Sequence, residues 1–104
     1  MTPLETLKAA RDLISDPERW TQGEYARDAS EIRTGIATDE AVCFCAAGAI
    51  FRVIGHTFPS HAEIHLTSIC KKLGGKSVIS FNDTHTHAEV LALFDAAIAE
   101  LEGV

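Results

Sequence analysis

Three cysteines, five histidines and one polar loop hold most of the side chains in this 104-residue chain that could act as nucleophile, base or metal ligand. Cys43 and Cys45, with Cys70 and the histidines, invite a zinc reading, since thiolates and imidazoles are zinc's usual ligands. His61 and His65 lie four apart and share a face if that stretch is helical, and His85 and His87 form a second pair. The cysteine spacing argues against a site. Structural zinc sites favour cysteines separated by about two to four residues, and helical positions two apart point away from each other. No metal and no cofactor is assigned, and the cysteines read as small core residues.

Cys45 is also a candidate nucleophile, which requires a lowered pKa and an adjacent base. Its apolar neighbours Val42, Phe44 and Ile50 would raise the pKa instead, so the inert reading is favoured. The most site-like stretch is Asn82-Asp83-Thr84-His85-Thr86-His87. Asp83 could orient His85 or His87 as a general base. A turn at Asn82-Asp83 followed by Thr86 as a helix cap explains more of these residues. Arg27 is expected to pair with Asp83, or with Asp28 and Glu24, because a half-buried charge needs its partner. Trp20 and Phe81 suit either the core or the wall of a pocket.

The elements that must position these groups follow from capping signals and apolar periodicity. Thr2, Pro3 and Glu5 start a helix over residues 3–15, with Leu4, Leu7, Arg11 and Ile14 on one face, and Asp16-Pro17 ends it. Residues 17–38 are the least legible. Trp20, Gly23 and Tyr25 suggest a turn anchored by a buried aromatic, then a short helix from Tyr25 to Ile32. Residues 41–51 contain no charged side chain, which predicts a helix over about 39–54 enclosed on most sides, capped by Thr38 or Asp39 and closed by Gly55. Gly48 within it marks a close approach by another helix backbone.

Phe58-Pro59 reads as a linker. Ser60 with Glu63 forms a second capping box, before an inward stripe of Ala62, Leu66, Ile69, Cys70 and Leu73 that Gly74-Gly75 stops. Val78–Phe81 reads as a short extended segment. Thr86 with Glu89 opens the last helix, whose core face is Val90, Leu91, Phe94, Ala97, Ile98 and Leu101. The fold class is therefore all-α: one domain over residues 1–104, a compact bundle of four to five helices around the central apolar helix. A minor β-hairpin near 34–37 or 77–81 is compatible with it.

A formal net charge of −6, with scattered lysines and arginines, excludes a phosphate-polymer binder and an anionic membrane surface. No apolar run approaches the roughly 18 residues a membrane span needs. An odd number of cysteines and an N-terminus that starts a helix lead us to expect a cytoplasmic protein.

Three stretches taken in order resemble a bacterial and phage family of unknown function. They carry W-x-x-G-x-x-A-R-D at Trp20, Gly23, Ala26, Arg27 and Asp28; C-A-x-G-A at Cys45, Ala46, Gly48 and Ala49; and N-D at Asn82 and Asp83, before the last helix. The resemblance covers nearly the whole chain. Phe81 stands where many relatives carry Trp, and Cys43 lies outside the pattern. What it implies is a fold unit with no catalytic role, in which Arg27, Asp28, Asn82 and Asp83 form one polar cluster beside Cys45.

The expected function is a non-enzymatic binding or accessory module, with a protein, a small molecule or a second copy of the chain as partner. Its binding residues would be Arg27, Asp28, Cys45, Asn82, Asp83 and His85. The alternatives are a small enzyme using Asp83 and His85 for acid–base work with Arg27 holding an anion, and a structural metal protein.

Overall fold

A computed structural model describes residues 1–56 and 60–103, and in it each of the five α-helices opens on a side-chain cap. Helix α1 spans Pro3–Leu13. Glu5 N–H donates to Thr2 Oγ1 at 3.1 Å and Thr2 N–H donates back to Glu5 Oε1 at 2.9 Å, so both halves of the capping box form. Helix α5, His87–Leu101, has the same reciprocal pair from Thr86 and Glu89. Helix α3, His61–Lys72, has only half of its expected box. Glu63 N–H donates to Ser60 Oγ at 3.3 Å, but the Glu63 carboxylate turns inward, leaving Oε2 buried without a partner. The Phe58-Pro59 linker lies outside the described residues.

The central helix is shorter than its apolar run. Helix α2 covers Ala46–Ile54, and Cys43–Phe44 is instead strand β2, paired antiparallel with strand β1, Ala26–Arg27. The register sets Ala26 opposite Phe44 and Arg27 opposite Cys43. Thr38 and Asp39 cap nothing in this helix; Cys45 does, its Sγ accepting from Gly48 N–H at 3.3 Å. A short stretch that is apolar throughout has no period by which strand and helix can be told apart. Gly55 closes α2 in the left-handed conformation at φ +84°, as expected. Within α2, Ala46 to Phe51 are all buried, so the enclosed central helix is present with a later start.

The minor sheet is not at 34–37 or 77–81, and the helix expected from Tyr25 to Ile32 does not form. Asp28 Oδ1 accepts from the N–H groups of Ser30 at 2.9 Å and Ile32 at 3.0 Å, making a local turn in place of helical bonds. Glu31 takes φ 65° within it. The backbone that closes on Gly48 belongs to this extended chain and not to a helix. A Cβ at Gly48 would lie 2.0 Å from Tyr25 O.

Residues 78–84 form helix α4, Val78–Thr84, capped by Ser77, whose Oγ accepts from Ser80 N–H at 3.0 Å. Neither the extended segment nor the Asn82-Asp83 turn is present. Val78, Phe81 and Asn82 face inward, a helical spacing disguised in the sequence by a polar residue on the buried side.

Helix α1 packs on α2, α5 and α3, and α5 also packs on α3 and α4. Leu7, Ile14, Ile50, Leu66, Leu93 and Phe94 fill the centre. Two stripe residues are misplaced by the sequence reading: Leu73 is 59% exposed and Leu101 lies at the surface, while Leu93 is buried. The acidic end of α5 is offset by Lys72 on Glu100 at 3.1 Å and Lys8 on Glu102 at 3.0 Å. No helix among the described residues is long and apolar enough to cross a membrane.

Candidate functional site

Asn82 projects from α4 into the core and has no exposed surface. Its Oδ1 accepts from the Trp20 indole Nε1–H at 2.7 Å and from Ala46 N–H at 3.0 Å. Its Nδ2 donates to Thr21 O at 3.0 Å and to Asp83 Oδ1 at 3.1 Å. A primary amide has two donor and two acceptor positions, and all four are used. Ala46 N–H belongs to the first turn of α2 and has no partner within its own helix. One side chain therefore joins the residue 20–21 loop, the start of α2 and α4. The environment also fixes which way round the amide sits, since two N–H groups face the oxygen and two oxygens face the nitrogen.

Around this centre the neighbours close ranks. Asp83 Oδ1 also accepts from Gly23 N–H at 2.9 Å, where Gly23 holds φ +86°. Gln22 Nε2 donates to Asn82 O and His85 O, both at 3.0 Å. Arg27 does not pair with Asp83, Asp28 or Glu24. Its guanidinium donates to Thr21 Oγ1 at 3.0 Å, Gln22 O at 3.1 Å and Glu31 O at 3.1 Å, stitching its own loop together. Arg52 does the same from α2, donating through Nη1 to Ile36 O at 2.7 Å and Thr38 O at 2.8 Å.

Of the six residues named from sequence, Arg27, Asn82 and Asp83 gather around residues 20–23, and Cys45 meets the same segment further on, its N–H donating to Tyr25 O at 3.2 Å. The Asp28 carboxylate closes its own turn and stays apart. The His85 ring lies flat on Phe81, centroids 3.7 Å apart, with Nδ1 at 2.9 Å from Phe81 O and 3.0 Å from Thr84 Oγ1. It makes no contact with Asp83 among those described. Cys45 is only 4% exposed, and burial pushes its thiol pKa up to about 11, against the lowering effect of the Gly48 and Ala47 N–H groups. At neutral pH it is a protonated helix cap.

Sequence reasoning missed Gln22, a polar side chain bridging to two carbonyls of α4 and its end; its place in the W-x-x-G stretch was the available signal. His65 Nε2 sits 3.2 Å from Ala97 O, and no group of three or more His, Cys, Asp or Glu converges among the described residues.

Outside the cluster a recess of about 180 Å³ opens between Gly23–Tyr25, Cys45, Ile79 and Asp83. It adjoins a groove of about 580 Å³ that shares Glu24 and Tyr25 and runs along residues 33–36.

A family of unknown function, DUF6197, matches residues 1–100, and the chain belongs to it. No curated protein and no solved structure matches the chain.

Proposed function

From membership of a family without an assigned activity, we propose that this protein is a non-enzymatic interaction module. One observation carries the reading: the polar cluster that looked most like a site is bonded mainly to the chain itself. Asn82 uses its whole amide on internal partners. A catalytic acid or base must reach a proton on its substrate. Asp83, the carboxylate that would orient a histidine base, bonds Gly23 and Asn82 and makes no hydrogen bond to His85 among the described residues, and burial keeps the Cys45 thiol protonated. The cluster reads as a clasp that gives the 20–45 segment its shape, leaving recognition to the surface.

The module acts in a reducing cytoplasm, in keeping with three unpaired buried cysteines. Its partners are a protein, a small molecule or a second copy of itself, since Ile64 and Leu73 stand exposed, and its acidic balance disfavours nucleic acid. Light scattering at high concentration tests self-association: a clean monomer removes the homodimer. A turnover screen against esters, phosphate esters and amides tests the main reading, with an Asp83→Asn, His85→Ala double variant alongside. No difference between the two proteins is expected. Turnover that vanishes in the double variant sinks the reading.

A further inference from the structure

The geometry points to a docking site for one lysine or arginine side chain of a basic partner segment, in the recess beside Tyr25. This rests on the interaction-module reading. The recess has two kinds of wall. Ile79 and Tyr25, 43% and 42% exposed, and the buried Cys45 supply apolar and aromatic surface. Glu24 and Asp83 supply two carboxylates, and neither forms an ion pair among the described residues. Asp83 Oδ1 is held by Gly23 and Asn82, while its Oδ2 makes no hydrogen bond there.

A long basic side chain matches both kinds of wall. Its methylene stem lies along apolar surface while its charged head stays at a polar rim. An aromatic ring adds attraction for the cation. Five of the chain's nine lysines and arginines are engaged away from these two carboxylates: Lys8, Arg11 and Lys72 face other carboxylates, and Arg27 and Arg52 bind backbone carbonyls, while Arg33 lines the adjoining groove.

The site is also preformed. Tyr25 is fixed by its backbone, which lies against Gly48, and by its ring, which meets Phe51 edge-on at 5.4 Å. A preorganised site loses little to ordering on binding. The net charge of −6 draws a cationic segment in, and the adjoining groove gives its flanking residues a path. Arg33 along that groove turns away a second adjacent cation, so the partner presents one basic residue with neutral neighbours.

The test is an NMR titration of the intact chain with three blocked pentapeptides, alanine throughout except for a central lysine, arginine or norleucine. Lysine and arginine peptides are expected to shift the amides of Gly23, Tyr25 and Ile79 with roughly millimolar affinity, and the norleucine peptide to leave them still. Glu24→Gln and Tyr25→Leu should each weaken the response about fivefold, the scale of one partly wet charge or cation–ring contact. Neither side chain takes part in the Asn82 bonds, and unchanged shifts at residues remote from the recess verify that each variant keeps the fold. An equal response to norleucine, shifts spread over the acidic surface, or variants that bind as well as the parent would each overturn the site. Such a failure leaves the interaction-module reading standing, because that reading falls only on turnover.

Discussion

Between the long helices the contact is apolar and continuous. Leu7 and Ala10 of α1, Leu66 and Ile69 of α3, and Val90, Leu93 and Phe94 of α5 are all buried. The connecting segment is held differently. Among residues 15–42 only Ala26 is buried. That stretch is fixed largely by directional bonds, from Asn82 and Asp83 of α4, from Arg52 of α2, and from Gln22, Arg27 and Asp28 within it. Burial tolerates approximate shapes, whereas a hydrogen-bonded clasp depends on particular atoms. The helical region should therefore yield gradually to substitution and the connecting segment abruptly.

The strongest test of that contrast lies where the two regions touch. Gly48→Ala forces a methyl group onto Tyr25 backbone atoms that have no rotamer to escape into. A loss of about 3 kcal/mol or more is expected, read by urea denaturation, with failure to fold as the extreme. A mild effect would mean the extended chain rests loosely on α2. Next comes Asn82→Ala, which leaves the Trp20 indole and Ala46 N–H unpaired in the interior. About 2 to 3 kcal/mol should go, and hydrogen exchange at Thr21 to Tyr25 should rise before exchange in α1 or α5. Uniform loss of protection would break the division into two regions.

Within the helical region the expected effects are smaller. Thr86→Ala removes a cap and its reciprocal bond from α5, for about 1 kcal/mol spread over the whole bundle. Smallest is Glu63→Gln. Burial raises the Glu63 carboxyl pKa above its ordinary 4.5, so the folded chain holds that proton to higher pH than the unfolded chain does. Its contribution is most favourable below the ordinary carboxylate range and is lost as pH rises through the raised value. Above that window Glu63→Gln should be the more stable protein by roughly 0.5 kcal/mol, a figure kept small because solvent screens part of the group. Below it the two should converge. A gap that widens on acidification would contradict the buried orphan oxygen.

The same contrast explains what could be seen in advance. Thr2, Ser60 and Thr86 mark helix starts by bonding within a single turn, and Gly55 and Gly74 mark ends, so α1, α3 and α5 were visible locally. The pairing of Ala26 with Phe44 depends on residues far apart, and nothing beside either one announces it. Helix α4 was hidden because Asn82 is polar and faces inward, which breaks the apolar period at the functional centre of the clasp. At the candidate site the residue types were legible and their partners were not. Arg27 looked in need of a carboxylate and is satisfied by two carbonyls and a hydroxyl. Carbonyls carry no side-chain signature, so no reading of residue letters can find them.

The clasp at Asn82 has a kinetic consequence. Its bonds reach Trp20 and Ala46, 62 and 36 residues from Asn82 along the chain, through a side chain whose own helix is the shortest of α1 to α5. Loops of that span close only after something else has brought their ends together. The clasp should then be absent from the folding transition state. Stopped-flow measurements on Asn82→Ala should find the refolding rate nearly unaltered and the whole cost in faster unfolding.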